Sequence, residues 1–578
     1  MSKTPNYDAK VKAILDATAP GERVCALTGE KWMMTEEEIG WYKKFNVPPS
    51  KYAPIARVSI VASFATGFGW WWQKHPETGK PVLTYVHPAT GVKALPDAEF
   101  FEADRTDKAR DYDPTRPFMD QMRALQLDVP FTASRSLIPT HNSIALLSQG
   151  DENSYFVTAS RSKNSFYLYS SVDVEKSSEV YESSAINQSY NVLNSHRIFK
   201  CTFVRQSYDC IESAFLFDCR NCEYCFGASG KRNRKYVWWN EQLSKDEWEK
   251  RRAQIDLDSR AVTDDMTRKF RDLVGTQAMW PENFNEHAEN CIGEYLYKCR
   301  DCRYTLFGHD GPQNHFWSLV CFGRSEQNAF VGGAVDTTEC YYSHAPLKSR
   351  GCKWCHSTVS CQNMEYCMQC WNCENCFGCV GLNRKSFCIF NKPYTEEAYW
   401  KKLDEIKTHL LETGELGEFF PLTFSPCYVL ATPGLMYVST EEDVKRLGGM
   451  VYNPDSAGAL GEGAEPSSMK SPADIPDRIT ELDADVWSKT AIFDPAENRR
   501  YAFLRPEIEL YQELGVAPSV LHPMTRLKNL VFEANMGIFQ ETKCRSCAKT
   551  ITVSKNRTYP NRIIYCRSCY VQYLEKNG

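Results

Sequence analysis

The sequence lacks the signals of a membrane protein, a secreted protein or a familiar enzyme. No stretch of its 578 residues reaches the roughly 18 consecutive apolar residues that a membrane-spanning helix needs. The opening residues, MSKTPNYDAKVKAIL, hold neither a hydrophobic run nor a small-residue cleavage site, which predicts that the protein is not secreted. No Walker loop, GxSxG elbow or HExxH motif is present, and no GxGxxG follows a predicted strand. We therefore expect a non-enzymatic cytoplasmic protein with no membrane partner and no evident small-molecule substrate.

The sequence also lacks an excess of positive charge. Its formal charge of −5 excludes a chain that is basic throughout, as many nucleic-acid-binding proteins are. Basic and aromatic residues nevertheless alternate near the C-terminus. Because basic side chains contact phosphates and aromatic faces stack on bases, these residues are candidate nucleic-acid contacts. The set comprises Arg545, Lys549, Lys555, Arg557, Arg562 and Arg567, interleaved with Tyr559, Tyr565 and Tyr570. The run KRNRK at 231–235 adds a second basic segment.

Cysteine is abundant, and it recurs at regular intervals. Of the 25 cysteines, Cys352, Cys361, Cys370, Cys379 and Cys388 fall nine residues apart. Another five, Cys201, Cys210, Cys219, Cys222 and Cys225, lie 151 residues before Cys352, Cys361, Cys370, Cys373 and Cys376. A gapless overlay of 201–240 on 352–391 gives 11 identities in 40 positions. A constant interval of this length predicts a repeated structural unit rather than a single active site.

The middle of the chain is predicted to consist of short strands. Between about 150 and 395, apolar and aromatic segments recur every 9 to 14 residues, each ended by Ser, Asn, Asp or Cys. A sandwich with Greek-key connections and a solenoid with stacked turns both fit this pattern. The nine-residue cysteine interval favours the solenoid, with nine residues as its period and cysteines as small core residues. We predict a mainly β fold (α+β overall), with helices opening near Ser244 and after Thr395.

The two ends of the chain are related to each other. Overlaying 25–80 on 494–549 without gaps gives 11 identities in 56 positions, including Arg57 with Arg526 and Pro54 with Pro523. We expect one zinc-ribbon-like module used twice, flanking the repeat array. The predicted domains are 1–112, 113–395 with a helical insert at 241–285, 396–453, a Gly/Ser/Pro-rich linker at 454–477, and 478–578.

One metal site is predicted from ligand spacing. Cys544-x2-Cys547 and Cys566-x2-Cys569 are separated by the segment 548–565, an arrangement typical of a zinc ribbon. Four thiolates about 2.3 Å from Zn²⁺ close a tetrahedron, so the site is expected to be structural, with zinc as the cofactor. The equivalent positions elsewhere have lost these ligands: His75 and Thr78, Cys25 and Thr28 with Ala53 and Ala56, and Asp494 and Glu497 with His522 and Thr525. We expect those three ribbons to be metal-free.

The densest cysteine run leaves three interpretations open. Cys370, Cys373, Cys376 and Cys379 have the intervals of a candidate second metal site, and they invite comparison with an iron–sulfur or redox centre. Ferredoxin-type runs end in x3-C-P, whereas here the last interval is two and Val380 follows. The upstream copy has Ala228 in the fourth position, which favours packed thiols.

The run from Glu374 to Asn391, ENCFGCVGLNRKSFCIFN, resembles an uncharacterised family of cysteine-rich proteins found in candidate-phylum bacteria and phages. The segments 111–118, DYDPTRPF, and 41–49, WYKKFNVPP, are similar to further signatures of that family, so the resemblance covers most of the chain. It implies a repetitive centre with terminal zinc-ribbon modules. The family pattern has CxxC ribbons in both modules, whereas Ala53, Ala56 and the apolar segment 58–72 depart from it. The resemblance implies no activity.

We predict a non-catalytic zinc-binding scaffold that acts through protein–protein contacts and can self-assemble. If the source is a phage, a structural component of the particle is the natural form of this role. The apolar segment 58–72 is expected to form a buried strand pair or, through Trp70, Trp71 and Trp72, to contact a partner. Nucleic-acid binding through the C-terminal ribbon and a redox role for the central cysteines are the alternative functions.

Overall fold

The computed structural model describes residues 2–136, 138–454, 469–495 and 497–578. The chain divides into two compact units, each assembled from separate stretches of sequence. The first comprises 1–65, 71–133 and 285–452, and the second comprises 66–70, 134–284 and 453–578. The repeat array predicted at 113–395 is therefore divided between the units. Residues 455–468 of the predicted linker lie outside the described residues.

The first unit joins the N-terminal module to the downstream part of the array. Its α-helices are Pro5–Ala17, Glu36–Phe45, Pro54–Ala62, Asp97–Glu102, Phe118–Asp128, Glu396–Thr413 and Glu441–Arg446. Its module strands are Gly21–Val24, Lys31–Met34, Trp71–Lys74, Pro81–Thr84, Ala94–Leu95 and Phe131–Thr132. Its array strands are Ile292–Tyr297, Arg303–His309, Gln313–Phe316, Leu319–Phe322, Glu326–Val335, Tyr341–Leu347, His356–Val359, Gln362–Glu365, Met368–Trp371, Glu374–Phe377, Cys388–Ile389 and Lys392–Pro393.

The second unit joins the C-terminal module to the upstream part of the array. Its α-helices are Lys245–Arg252, Arg260–Asp272, Ala484–Trp487, Arg505–Leu514, Pro523–Glu533 and Arg567–Asn577. Its array strands are Ile144–Leu146, Tyr155–Thr158, Arg161–Lys163, Phe166–Tyr169, Val172–Glu175, Ser178–Tyr181, Ser184–Asn187, Tyr190–Leu193, His196–Phe199, Thr202–Arg205, Tyr208–Ile211, Ala214–Phe217, Phe226–Ser229, Val237–Trp238 and Glu241–Gln242. Its remaining strands are Met279–Pro281, Ile492–Asp494, Arg499–Tyr501, Asn535–Lys543, Thr550–Asn556 and Ile563–Tyr565. The helices and strands agree with the α+β part of the prediction, and "mainly β" understates the helices.

Parallel strand pairing follows a 12-residue repeat over most of both arrays, whereas the first strands of each array pair at offsets of 11 or 13 residues. In the second unit Val180 pairs with Val192 and Val192 with Val204. In the first unit His344 pairs with His356 and His356 with Met368. The predicted nine-residue period is therefore wrong. Nine residues correspond to three of the four three-residue steps that complete one repeat.

The three-residue step is visible in backbone conformation and in burial. In the second unit the fully buried series includes Ser165, Leu168 and Ser171, one residue in three. The residue before each has positive φ, as for Tyr167 at 55° and Ser170 at 47°. This left-handed conformation turns the chain at every step and directs each third side chain to the core. Aliphatic side chains alternate with Ser in this series from Ser165 to Ile198.

Hydroxyl and thiol groups satisfy the backbone at these buried turns. Ser177 Oγ accepts a hydrogen bond from Ser189 N at 3.0 Å and donates one to Glu175 O at 2.8 Å. Cys361 Sγ takes the same place in the first unit, accepting from Cys373 N at 3.4 Å and donating to Val359 O at 3.4 Å. Because a buried N–H without a partner is destabilising, Ser and Cys are interchangeable here, whereas purely apolar residues are not.

The downstream ends of the two arrays are closed in the same way. Asn240 Oδ1 accepts from Ser229 N at 2.8 Å, and Asn391 Oδ1 accepts from Val380 N at 2.9 Å. Each asparagine side chain accepts a backbone hydrogen bond that the next strand would accept if the array continued. A helix follows each of them, with Ser244 or Thr395 as the N-cap residue. The predicted helix starts are thereby confirmed.

The two terminal modules have corresponding helices at the positions that the sequence overlay pairs. Helix Glu36–Phe45 corresponds to Arg505–Leu514, and the helix that begins at Pro54 corresponds to the one that begins at Pro523. The prediction of a strand pair within 58–72 is wrong, because Val58 lies in the helix Pro54–Ala62. Proline at the first helical position starts this helix, and its packing against Glu326–Val335 buries it.

Candidate metal centre

The C-terminal cysteines lie on two tight turns. The first follows strand Asn535–Lys543, where Cys544 N donates to Lys549 O at 2.9 Å and Ala548 N donates to Cys544 O at 2.9 Å. These bonds fold the chain back into the antiparallel strand Thr550–Asn556. The second turn lies between strand Ile563–Tyr565 and helix Arg567–Asn577, and Cys566 is the N-cap residue of that helix.

Both turns direct their thiols to one point. The four sulfur atoms of Cys544, Cys547, Cys566 and Cys569 all lie within 4.8 Å of one another. Cys547 Sγ and Cys566 Sγ are 3.7 Å apart, and Cys566 N donates to Cys544 Sγ at 3.2 Å. Burial opposes ionisation of the Cys544 thiol, but N–H groups of Cys566, Cys547 and Ser546 outweigh it and lower its pKa to about 6.

This donor set fits a metal ion that prefers sulfur. Four convergent thiolates form a tetrahedral all-sulfur site, which suits zinc or iron and leaves no coordination position for a substrate. Among the described residues, this is the one group of three or more potential ligands whose donor atoms lie close enough together to share a metal ion. The cluster can therefore hold a metal in a structural role.

The ribbon is anchored within the second unit. Strand Ile563–Tyr565 pairs in parallel with Met279–Pro281, next to the second pair of ligands. The hydroxyl of Tyr570, one residue beyond Cys569, donates to the carboxylate of Asp218 in the array. A metal at this site would therefore hold together elements that are distant in sequence.

Two further turns keep the backbone hydrogen bond of this site without its full set of ligands. Cys25 N donates to Glu30 O at 2.8 Å, and His75 N donates to Lys80 O at 2.8 Å, as Cys544 N does to Lys549 O. Burial opposes ionisation of Cys25, yet the Thr28 hydroxyl and the Ala53 N–H lower the pKa of its thiol.

Other side chains fill the vacated ligand positions. His75 Nε2 lies 2.8 Å from Glu99 Oε2, so a hydrogen-bond contact takes the place of metal ligands there. Glu99 was not identified from the sequence. It lies 24 residues after His75, close to the 25 residues between Cys544 and Cys569, and this similar spacing was a usable signal. His522 Nδ1 accepts from Met524 N at 3.1 Å. Cys25, His75 and His522 thus have local bonding partners in place of a metal.

The candidate second metal site is not assembled. Cys370, Cys373, Cys376 and Cys379 are all buried array residues, and within the described chain no three of them bring their sulfurs together as the C-terminal cysteines do. Cys373 Sγ lies 3.2 Å from Trp371 O, and Cys370 Sγ lies 3.4 Å from Met368 O. Burial raises the pKa of the Cys370 and Cys379 thiols, whereas hydrogen bonds with neighbouring thiols lower the pKa of Cys373 to about 4 and that of Cys376 to about 6. These contacts favour packed, hydrogen-bonded thiols.

Some of the predicted nucleic-acid contacts are exposed and others are buried. Arg545, Lys549, Lys555, Arg557 and Arg567 are exposed. Arg562 is buried and donates to Ser554 O at 2.6 Å, so its assignment as a surface contact was wrong. Tyr559 and Tyr570 are buried as well, which removes two of the three candidate stacking rings.

The three consecutive tryptophans do not form one exposed patch. Trp71 is buried in the first unit, where its ring lies 4.9 Å from that of His87. Trp70 belongs to the second unit and packs edge-on against Phe156 at 6.0 Å. Trp72 is 36% exposed. The expectation that Trp70 and Trp71 offer a partner surface was therefore wrong, because both rings are used within the fold.

A buried cysteine–histidine contact was not singled out from the sequence. Cys321 Sγ lies 3.3 Å from His315 Nδ1, and His315 Nε2 lies 3.2 Å from Ser325 O. Burial lowers the pKa of His315 to about 4 and raises that of Cys321. Both side chains have no solvent exposure, so this thiol has neither an activated form nor access for a substrate.

Comparison with known proteins gives no match to a protein-family model, a curated protein or a solved structure. Within the described part of the chain, no helix has both the length and the apolar character required to cross a bilayer.

Proposed function

We propose that this protein is a non-catalytic, zinc-containing scaffold whose two arrays are solenoids of 12-residue turns. The proposal rests on where the cysteine thiols lie and what they bond to. In the two arrays they are interior residues whose thiols bond to the backbone, as in Cys361 and Cys373. The C-terminal tetrathiolate has no open coordination position. Thiols placed in this way stabilise a fold and offer no site for chemistry.

The identity of the metal follows from the donor set and its setting. Zinc is the usual ion in closed four-cysteine ribbons, and it has no redox chemistry. Such a metal contributes to the stability of the module that holds it, because the site forms only when the module folds.

The side faces of the arrays are the surfaces we assign to protein contact. The sheet Arg161–Lys163, Val172–Glu175, Ser184–Asn187, His196–Phe199 and Tyr208–Ile211 is parallel throughout. Phe199 and Ile211 are neighbours in its register, and each is 38% exposed. Repeat arrays offer rigid extended faces for assembly, so this adjacent apolar pair is the proposed contact point between copies.

Thiol labelling of the folded, zinc-loaded protein tests the non-catalytic assignment. With iodoacetamide and peptide mass spectrometry, we expect the buried array cysteines to stay unmodified, whereas every cysteine reacts after unfolding and chelation. Cys291, which is half-buried, is expected to react slowly and serves as an internal reference. Rapid labelling of Cys370 or Cys376 in the folded protein would contradict the assignment.

Sedimentation velocity over a range of concentrations tests assembly separately. We expect the natural protein to self-associate and the double variant Phe199→Ser, Ile211→Ser to remain monomeric. Val24→Ser with Met33→Ser is the matched control, since these residues are 60% and 61% exposed on an antiparallel hairpin of the N-terminal module. A natural protein that stays monomeric, or a control that loses association equally, would rule out the Phe199–Ile211 contact.

A further inference from the structure

The C-terminal ribbon carries a local charge opposite to that of the whole protein. The chain has a formal charge of −5, yet residues 535–578 contain eight Lys or Arg and two Glu. The acidic remainder of the protein repels polyanions, whereas this basic surface attracts them.

Five exposed cations of this ribbon have no ion-pair partner within the described part of the chain. Lys176 pairs with Glu513 at 2.8 Å, and many other surface cations are paired in the same way. These five ribbon cations, for which the described residues show no ion pair, are Lys543, Arg545, Lys549, Lys555 and Arg567. Their charges are therefore available to a ligand.

Four of these cations surround the metal ligands. Lys543 and Arg545 flank Cys544, Arg567 follows Cys566, and Lys549 closes the first turn. Arg545 N donates to Ile564 O at 2.9 Å, which fixes the first turn beside the second. Four thiolates with one divalent ion carry a formal charge of −2, so two cations would neutralise the centre. The remaining cations give the surface a net positive charge.

The aromatic residues decide which part of a polyanion is recognised. Tyr559 packs against Trp280 with ring centroids 5.6 Å apart, and the Tyr570 hydroxyl donates to Asp218. Neither ring is free to stack on a base. The guanidinium of Arg562 lies 5.1 Å from the Trp280 ring centroid, inside the fold. The third ring, Tyr565, is half-buried and packs edge-on against Tyr573 with centroids 6.1 Å apart. The surface therefore presents mainly cations, which suits phosphate contacts rather than base contacts.

We infer that the metal-loaded C-terminal ribbon binds the phosphate backbone of nucleic acid, without base stacking and without sequence preference, through Lys543, Arg545, Lys549, Lys555 and Arg567. Duplex and single strands of equal length are bound with similar affinity. Binding of this kind is governed by counterion release and weakens steeply with salt. The site adds a second class of partner to the proposed scaffold, and it does not depend on self-association.

The test is fluorescence anisotropy with full-length zinc-loaded protein and a labelled 30-nucleotide DNA, as duplex and as single strand, in increasing NaCl. Four to five phosphate contacts predict a log–log slope of about −4 for the duplex and about −3 for the single strand. The variant Lys543→Gln, Arg545→Gln, Lys549→Gln, Arg567→Gln is expected to bind at least tenfold more weakly, with a shallower slope.

The N-terminal copy of the module provides the matched control. Lys74 and Lys80 stand at the positions of Lys543 and Lys549 on the equivalent hairpin, so Lys74→Gln with Lys80→Gln should leave DNA binding unchanged. Lys555→Gln, remote from the thiols, should reduce the slope by about one while zinc content stays constant. Arg545→Lys with Arg567→Lys keeps the charges and should keep the affinity.

Three results would overturn the inference. The first is no binding at 25 mM NaCl. The second is equal loss of binding in the Lys74 and Lys80 control. The third is displacement of DNA by polyglutamate at equal charge concentration, which would show that the surface recognises acidic chains in general. Loss of zinc from the four-residue variant would assign those cations to charge compensation, and the Lys555→Gln slope would then decide the case.

Discussion

Arg57 and Arg526 make equivalent buried contacts in the two terminal modules. Arg57 Nη1 lies 3.1 Å from Glu38 Oε1 and 2.9 Å from the Tyr42 hydroxyl. Arg526 lies 3.4 Å from Glu507 Oε1 and 3.1 Å from the Tyr511 hydroxyl. Each arginine also reaches the array of its own unit, Arg57 through the Tyr341 hydroxyl at 2.6 Å.

The array partner of Arg526 is a second carboxylate. Glu179 Oε1 lies 2.8 Å from Arg526 Nη1, and the Tyr190 hydroxyl donates to the same carboxylate at 3.0 Å. Tyr190 and Tyr341 are equivalent under the overlay that relates the two arrays. A terminal-module arginine thus contacts the array in both units, through Tyr341 directly in the first and through Glu179 in the second, which favours duplication of the whole unit.

Replacing Arg526 with methionine is expected to destabilise the second unit strongly. Glu179 and Glu507 have side chains that are 1% and 0% exposed, so the substitution leaves buried carboxylates without their cation. Removing one partner of a buried pair costs about 3–5 kcal/mol. Hydrogen exchange of helix Arg505–Leu514 and the thermal midpoint would measure the loss. Lys176→Met, which breaks the surface pair with Glu513, should change stability by less than about 1 kcal/mol, and equal effects of the two variants would contradict this account.

Serine and cysteine should be interchangeable in the buried hydrogen-bond ladder, whereas alanine should not replace them. Ser189 Oγ accepts from Cys201 N at 3.1 Å. Ser189→Ala leaves that buried N–H unsatisfied and is expected to cost about 1–3 kcal/mol. Ser189→Cys should be tolerated, as Cys361→Ser should be in the first unit. Thermal unfolding of the four variants, including Cys361→Ala, makes the comparison, and a fully tolerated alanine would show that the hydrogen bonds contribute little.

Glu182 predicts a fall in stability with rising pH. It is 7% exposed, accepts from Ser170 Oγ at 2.9 Å, and its Oε1 has no partner among the described residues. Burial raises the pKa of Glu182 to about 8. The folded protein therefore keeps a proton that the unfolded chain loses above its usual pKa near 4.5. Stability contributed by this group is complete below that value and is lost as pH rises toward 8.

The Glu182→Gln variant tests this pH dependence. Each proton held only in the folded state gives a slope of about 1.4 kcal/mol per pH unit. We expect the thermal midpoint of the natural protein to fall between pH 5.5 and 7.5 by more than that of the variant. Glu182→Gln should also be the more stable form at pH 7.5. Parallel curves for the two proteins would show that Glu182 is ionised in the fold.

The sequence predicted the terminal modules well and the array period badly, for related physical reasons. Identities between the modules include the Glu–Tyr–Arg network, which reports directly on packing. In the arrays, all intervals from Cys340 to Cys388 are multiples of three, and this was the usable signal. The five cysteines spaced nine residues apart are only a subset of this three-residue pattern, so their interval does not give the period. The four steps of one repeat are equivalent in burial, so residue type alone does not mark where a repeat closes.

The pairing of modules with arrays could not be predicted. The N-terminal module packs with the downstream array through Arg57 and Tyr341, which are 284 residues apart. Local propensity and spacing hold no information about such a contact. Glu179 also differs in chemistry from Phe330, its counterpart 151 residues later, so comparing the two arrays does not reveal this partner.

Metal content per chain is the measurement that tests the central claim most directly. We expect one zinc per chain and no visible absorption in the natural protein, and the same content in Cys370→Ser with Cys376→Ser. Cys547→Ser with Cys569→Ser should lose the zinc. Two or more metals per chain, iron with visible absorption, or zinc lost from the Cys370 and Cys376 variant but retained without Cys547 and Cys569 would contradict the account.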